Sequence, residues 1–261
     1  ATMPPLAIGE HEVSISLNGL PSDAQLTGAV VRIVKMPSRE DGASLLRPSM
    51  GPTRGGTIVR FPAGELSDEL SLCCAFGTPP TGCIAAELLR PQGADPFVEC
   101  TSPPASTAGA LSFHLSLDGG ANYLRLDVYT MYTVSINGLQ PSLGPAAGGT
   151  VLSLDASGLS NLTLQDDPAP LCGFRQSAMH GAGYAANESV LEPTGATVDI
   201  DGAHAGSVPV SCASPRCDCA LDETPCVLSV SLAPNGVDFD FDNGLSFLCH
   251  PRLSVCLLYT S

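Results

Sequence analysis

The residues best suited to chemistry in this chain are its cysteines. Eleven occur in 261 residues: Cys73, Cys74, Cys83, Cys100, Cys172, Cys212, Cys217, Cys219, Cys226, Cys249 and Cys256. Four of them form a run, Cys212-x4-Cys217-x-Cys219-x6-Cys226, with Asp218, Asp222 and Glu223 beside them. Zinc sites take cysteines as two Cys-x2-4-Cys pairs. The run lacks that spacing and reads as a disulfide-bonded loop in an oxidising compartment. A second candidate is the trio Asp238, Asp240 and Asp242, hard oxygen ligands of the kind calcium takes. Their strict alternation with Val237, Phe239 and Phe241 predicts a strand instead, with acids outward and phenylalanines in the core. Whether these carboxylates hold calcium stays open at this level. The histidines His11, His114, His180, His204 and His250 stand outside any metal-protease pattern. No Gly-x-Ser-x-Gly elbow, Walker-type loop or dinucleotide-binding glycine pattern occurs. The expectation is therefore no catalytic residue, no metal and no cofactor. His114, on the polar side of an alternating stretch, is expected in solvent.

Charge and chain ends bound the partners. There are 26 acidic and 11 basic side chains, a formal charge of −15, and Lys35 is the one lysine. Binding a phosphate backbone requires clustered Lys and Arg, so nucleic acid is excluded. No stretch approaches the roughly 18 consecutive apolar residues of a membrane span, so no membrane contact is expected within this segment. The opening Ala1-Thr2-Met3-Pro4-Pro5 has no signal-peptide pattern. A mature chain or a piece of a longer one is expected. Two sequons, Asn161-Leu162-Thr163 and Asn187-Glu188-Ser189, mark N-glycan acceptors. Sequons beside many cysteines place the chain in the secretory pathway, extracellular or at the cell surface. Residues 256–261 continue no upstream pattern, and residues 251–261 are taken as a tail without structural weight.

The chain that carries these residues repeats itself. Pro48-Ser49-Met50-Gly51-Pro52-Thr53-Arg54-Gly55-Gly56-Thr57 returns as Pro141-Ser142-Leu143-Gly144-Pro145-Ala146-Ala147-Gly148-Gly149-Thr150. Cys74-Ala75-Phe76-Gly77 answers to Cys172-Gly173-Phe174-Arg175, and Cys100-Thr101-Ser102-Pro103 to Cys212-Ala213-Ser214-Pro215. Leu115-Ser116-Leu117-Asp118-Gly119-Gly120 answers to Val230-Ser231-Leu232-Ala233-Pro234-Asn235-Gly236. The order is kept while the spacing grows, as loop insertions in the second copy would produce. A partial third copy, Val13-Ser14-Ile15-Ser16-Leu17-Asn18-Gly19, stands in front, followed by a strand from Ala29 to Val34. The units fall at residues 37–133 and 134–250. Residues 1–36 are then either the closing strands of a preceding unit or a hairpin docking onto the first.

Each unit reads as β. Strands are predicted at 57–61, 111–117, 150–154, 227–232 and 237–242 from alternation and from their positions after Gly-Gly turns. The stretch CIAAELLR at 83–90 is the best helical candidate and fits a strand edge equally well. The 27 glycines and 23 prolines suit many turns between short strands. The fold class is all-β, with several strands per unit packed as two-sheet sandwiches.

These motifs resemble the IPT/TIG family of immunoglobulin-like domains. That family opens with Pro-x-x-Gly-Pro-x-x-Gly-Gly-Thr, continues with Cys-x-Phe-Gly and Cys-x-Ser-Pro, and closes a strand with Ser-x-(Asp/Asn)-Gly. The first unit carries all four elements. The second departs at Arg175 and at Ala233-Pro234. The resemblance implies tandem immunoglobulin-like sandwiches with Cys74–Cys100 and Cys172–Cys212 bridging the middle strands. Cys73–Cys83 and Cys217–Cys226 are plausible local pairs, but connectivity beyond the repeated pair is not set by sequence. Eleven is odd, and Cys256 is the candidate for the unpaired thiol. Relatives place such arrays in plexins, the hepatocyte growth factor receptor and fibrocystin-like surface proteins. The resemblance therefore implies a non-catalytic structural or adhesive segment of a secreted or cell-surface glycoprotein. Its partners would be other protein chains or further domains of the same array. Alternatives are a ligand-binding receptor ectodomain using loops 178–187 and 217–226, and an accessory region of a secreted carbohydrate-active enzyme. The absence of tryptophan weakens a sugar-binding reading.

Overall fold

Alternating apolar residues bury one face of a strand and wet the other. Ile58–Pro62 and Val151–Ser157 follow that rule, with buried residues at every second position. The computed structural model describes residues 6–35, 44–78, 80–160, 162, 164, 168–180, 183–204, 206–217 and 226–250. Among these the regular structure is strand, apart from one short 3-10 turn at Pro21–Asp23. No helix of the described residues is long and apolar enough to cross a membrane.

A leading hairpin pairs β1 (Gly9–Ile15) with β2 (Gln25–Ile33). There follow β3 (Met50–Pro52), β4 (Ile58–Pro62), β5 (Cys73–Phe76), β6 (Thr81–Ala85), β7 (Glu87–Leu89), β8 (Phe97–Thr101), β9 (Gly109–Ser116) and β10 (Leu124–Tyr132). They form two sheets, ordered β3-β10-β9-β5-β6 and β4-β8-β7. The next set is β11 (Ser135–Gln140), β12 (Leu143–Pro145), β13 (Val151–Ser157), β14 (Leu171–His180), β15 (Gly183–Gly195), β16 (Thr197–Val198), β17 (Ser207–Ala213), β18 (Cys226–Ala233) and β19 (Ser246–His250). Its sheets are ordered β12-β19-β18-β14-β15 and β11-β13-β17-β16. In each five-stranded sheet the short Gly-Pro strand lies parallel to the last long strand, β3 on β10 and β12 on β19. The fold is thus all-β, two immunoglobulin-like sandwiches in tandem behind a hairpin. The CIAAELLR stretch is two strands. β6 pairs with β5 and β7 with β8, so the chain changes sheets at Ala86.

The first core gathers Val59, Phe61, Phe76, Val98, Phe113, Leu115 and Tyr129 from both sheets. Its rings meet edge to face, Phe113 at 5.4 Å from Phe61 and 5.2 Å from Phe76. That geometry adds a modest stabilisation beyond area burial. The second core is built on Leu152, Leu154, Phe174, Val208, Val210, Leu228, Val230 and Phe247. Adjacent residues Cys73 and Cys74 face opposite sides of β5. Cys74 crosses the core to Cys100 on β8, while Cys73 bonds Cys83 on the neighbouring strand β6. Cys172 on β14 crosses the second core to Cys212 on β17 in the same way, with Cα atoms 6.4 Å apart against 6.5 Å in the first. Bridges closing 26 and 40 residues contribute about 3–4 kcal/mol each through the unfolded chain.

His114 is buried, 7% exposed, contrary to the solvated position expected. β9 is an inner strand, with His114 opposite Ala75 on β5 and Arg125 on β10. Its polar face includes Ser116, 1% exposed, across from buried Cys73. His114 and Ser116 are therefore flanked by side chains of the adjoining strands instead of standing free in water, while Ser112 on the same face is half-buried.

The Gly-Gly-Thr and Cys-x-Ser-Pro motifs form one hydrogen-bonded knot per sandwich. Ser102 accepts from Gly56 N at 2.9 Å and donates from its own N to Thr57 O at 2.8 Å. Its hydroxyl also accepts from Thr57 N at 3.1 Å. Ser214 repeats all three bonds with Gly149 and Thr150, at 2.8, 2.8 and 3.1 Å. The first glycine of each pair has φ of +74° or +79°, and a Cβ there would sit within 2.7 Å of proline backbone at Pro103 or Pro215. Gly56 has φ of +90° but open space around it. Gly55→Ala and Gly148→Ala should therefore each cost about 2–4 kcal/mol, combining left-handed strain with overpacking. Gly56→Ala should cost about 1–2 kcal/mol, from strain alone. Urea midpoints at unchanged slope give the comparison, and equal losses at Gly55 and Gly56 would refute the close approach.

The β9–β10 turn is organised by Asp118. Asn122 donates its side-chain amide at 2.7 Å and its backbone N–H at 2.9 Å, and Ser116 Oγ donates at 2.7 Å. These bonds, the Asn122 amide foremost, hold the Asp118 carboxyl down from 3.8 to about 2. A lowered folded pKa stabilises above the ordinary value, and the gain is lost as pH falls from about 3.8 through 2. Carboxyl carbon NMR titration should place Asp118 near pH 2, and Asn122→Ala should move the midpoint upward. An unmoved midpoint would remove Asn122 as the cause.

Candidate functional site

The β18–β19 connection is where the two sandwiches meet. Residues 237–242 form no strand; the segment is a loop between Ala233 and Ser246. The reason lies in its side chains, which satisfy the backbone in place of a sheet partner. Asn235 Oδ1 accepts from Val237 N at 3.3 Å and Asp238 N at 3.1 Å. Ser231 Oγ accepts from Asp240 N at 2.7 Å, and Asp240 Oδ1 from Asp242 N at 3.1 Å. Asn243 Nδ2 donates to Val230 O at 2.8 Å. Such local bonds compete with strand pairing. Phe239 and Phe241 are only partly buried and stack on each other at 6.0 Å. Phe239 sits against Gly173 on β14, where a Cβ would collide with the ring. Arg175 covers Phe241 from 5.1 Å.

From this loop, side chains reach into the first sandwich. Asn235, wholly buried, donates to Met50 O at 3.0 Å and to Asp238 Oδ2 at 2.7 Å. Thr57 Oγ1, in the first sandwich's knot, donates to the same Asp238 oxygen at 2.7 Å. Arg54 donates to Phe239 O at 3.2 Å and pairs with Asp240 at 3.1 Å. Met50 and Tyr132 belong to the second sandwich's buried cluster although they sit on β3 and β10. Two residues, Thr133 and Val134, separate β10 from β11. The link is held where Thr53 N donates to Tyr132 O at 2.8 Å. Both Arg54 and Asp240 are about half exposed, so that ion pair orients more than it stabilises, worth ~0.2–1 kcal/mol. The buried Asn235 bonds matter more, because losing one leaves Met50 O unsatisfied at about 1–3 kcal/mol.

The three aspartates do not converge. Asp238 turns to Thr57 and Asn235, Asp240 to Arg54, and Asp242 to Arg175 at 3.5 Å. Among the described residues no three His, Cys, Asp or Glu side chains gather as a metal site. The arrangement is a joint between the two sandwiches, with Asp238 and Asp240 bonded across it.

Of the expected cysteine pairs, Cys74–Cys100, Cys172–Cys212 and Cys73–Cys83 are bonded in the structure. Cys217 is not bonded to Cys226; it bonds Cys249 on β19, with Cα atoms 6.5 Å apart. Cys226 is disulfide-bonded in its own right and faces Cys249 across the β18–β19 ladder. The local pairing failed because the chain leaving Ser214-Pro215 runs beside the end of β19, where Cys217 N donates to Ala146 O and Ala146 N to His250 O. Asn187 lies in β15. Asn161, Cys219, Cys256, Asp218, Asp222, Glu223 and the tail lie outside the described residues. Sequence reasoning missed Met50, Arg54, Thr57 and Asn235 as joint residues. Two signals pointed there: the departures from the repeat at Arg175 and at Ala233-Pro234 both touch this loop. Non-reducing peptide mapping should recover Cys217 linked to Cys249; a Cys217–Cys226 peptide would overturn the assignment.

No protein-family model matches the chain, and no curated protein matches it. Among solved structures it is similar to the full extracellular region of plexin A4, at 13% identity and a TM-score of 0.47, over 95% of this chain and 19% of that one. A plexin A4 structure with domains 1 to 8 is similar at 16% identity and a TM-score of 0.42, over 79% and 18%. So is SGBP-B of Bacteroides ovatus, in complex with a mixed-linkage heptasaccharide, at 12% identity and a TM-score of 0.30, over 95% and 54%. The chain spans about a fifth of the plexin A4 chain that it matches.

Proposed function

We propose that this chain is a non-catalytic structural segment of a secreted or cell-surface glycoprotein, a stiff spacer built from sandwiches of IPT/TIG type. The observation that carries the reading is the joint. A wholly buried asparagine, a threonine from the neighbouring knot and a two-residue link fix one sandwich on the other. A hinge needs the opposite, a mobile link and uncommitted polar groups. Disulfides across both cores fit an oxidising compartment. N-glycans at Asn161 and Asn187 belong to the same reading, and its partners are other protein chains or further domains of one array. The charge of −15 keeps nucleic acid out.

Residual dipolar couplings test the stiffness directly. Both sandwiches of the unsubstituted protein should report one alignment tensor. Replacing Asn235 and Asp238 together by Ala should give two tensors of unequal magnitude, with core amide shifts unchanged. Two unequal tensors in the unsubstituted protein would sink the spacer reading.

A further inference from the structure

The leading hairpin has the construction of a sandwich's closing strands without the sandwich. It forms an isolated two-stranded sheet, an arrangement marginal in water by itself. Its details repeat those of β9–β10. Gly9, at φ of 135°, pairs with Ile33, as Gly109, at φ of 149°, pairs with Met131. Both ladders carry a register shift partway along. In the turns, Ser16 Oγ donates to Asn18 Oδ1 at 2.8 Å, as Ser116 Oγ donates to Asp118 Oδ1 at 2.7 Å. The following glycines match too, Gly19 at φ of 77° and Gly119 at 71°.

What differs is the covering. Phe113, Leu115, Tyr129 and Met131 are buried in the first core. Their counterparts by this register are Val13, Ile15, Val31 and Ile33. None of the four is buried, and Ile15 is 57% exposed. Leu17 is 100% exposed, and Leu26 and Val30 also face solvent. In both complete sandwiches the first strand of the pair receives a Cys-x-Phe strand, β5 on β9 and β14 on β18. The second receives a parallel Gly-Pro strand, β3 on β10 and β12 on β19. Among the described residues β1 and β2 have neither. The hairpin reaches the first sandwich at the end of β2, where Arg32 meets Ser67 at 3.1 Å and Glu69 at 2.6 Å. Val34 then packs on the first core. Those contacts leave Ile15 and Leu17 exposed and Val13, Val31 and Ile33 only partly covered, which argues against a docking hairpin.

We infer that β1 and β2 close a further immunoglobulin-like sandwich, and that their partner is a half-sandwich supplied by polypeptide N-terminal to them. It offers a Cys-x-Phe strand to the edge of β1, a Gly-Pro strand running parallel to Arg32–Val34, and a facing sheet with an apolar inner side. Continuity supports this occupant, because β2 runs straight on to Val34, which packs on the first core, as β10 runs on to Val134, which packs on the second. The inference concerns assembly upstream and stands apart from the stiffness of the joint downstream.

The test reads the parent transcript upstream of Ala1, then compares hydrogen exchange in the 261-residue chain and in the chain extended upstream. The transcript should encode, in order, a Gly-Pro…Gly-Gly-Thr segment, a Cys-x-Phe segment and a Cys-x-Ser-Pro segment. Backbone amides of 9–15 and 25–33 should exchange fast in the 261-residue chain and at least about 100-fold slower in the extended one, as amides of a packed core do. A transcript without those segments overturns the inference, as does equally fast exchange in the extended chain. So does concentration-dependent protection in the 261-residue chain, which would make a second copy the partner.

Discussion

Each sandwich depends on the exchange of hydrogen bonds between a Gly-Gly-Thr turn and a Cys-x-Ser-Pro strand end. The serine uses its N–H, its carbonyl and its hydroxyl on two consecutive residues, Gly56-Thr57 or Gly149-Thr150. Buried backbone groups must be paired, and Thr57 and Ser102 are almost completely buried. The glycine before them must pass against proline backbone in a left-handed conformation. Turn, strand end and adjacent disulfide are therefore one unit of constraint. The cysteine two residues before the serine reaches across the core, so the knot also sets where the two sheets are stapled.

That coupling explains why this part of the architecture is legible in the sequence. Motifs that must touch each other recur in the same order, and the intervening strands alternate because one face packs on a shared core. The strands at Ile58–Pro62, Gly109–Ser116, Val151–Ser157 and Cys226–Ala233 all lie where alternation predicts them. The helical possibility at 83–90 dissolves for a related reason. Ala86 is a crossing between sheets, so neither side needs more than a short strand.

The failures share a different cause, which is dependence on particular side chains and neighbours that period-two patterning does not record. Alternation at 237–242 mimics a strand, but the backbone there bonds to Asn235, Ser231 and Asp240 side chains, and the ring of Phe239 fills space left by Gly173. Period-two patterning records which residues are apolar and nothing about what pairs with their backbone. Cys217 passes over the nearby Cys226 for Cys249 because β19 ends beside it. His114 reads as a wet residue, yet it lies on an inner strand, flanked by Ala75 and Arg125, and is buried. The joint escaped notice because Thr57 looks like one more knot residue. Its hydroxyl, unused within the knot, is the donor that finds Asp238.

The same turn thus serves two ends. In the first sandwich, Asp118 takes its bonds from Ser116 and Asn122 and the turn is self-contained. In the second, the equivalent position is Asn235, an amide that both donates and accepts. An aspartate there would accept from the loop backbone equally well, but as a carboxylate it has no proton for Met50 O. It would also face the Asp238 oxygen as a like charge. Asparagine satisfies the loop with its oxygen and the neighbouring sandwich with its nitrogen. A changed side chain at the turn, together with the longer loop that carries Asp238 and Asp240, makes a closed module into one that grips its neighbour, while the knot and disulfide beneath it stay as they were.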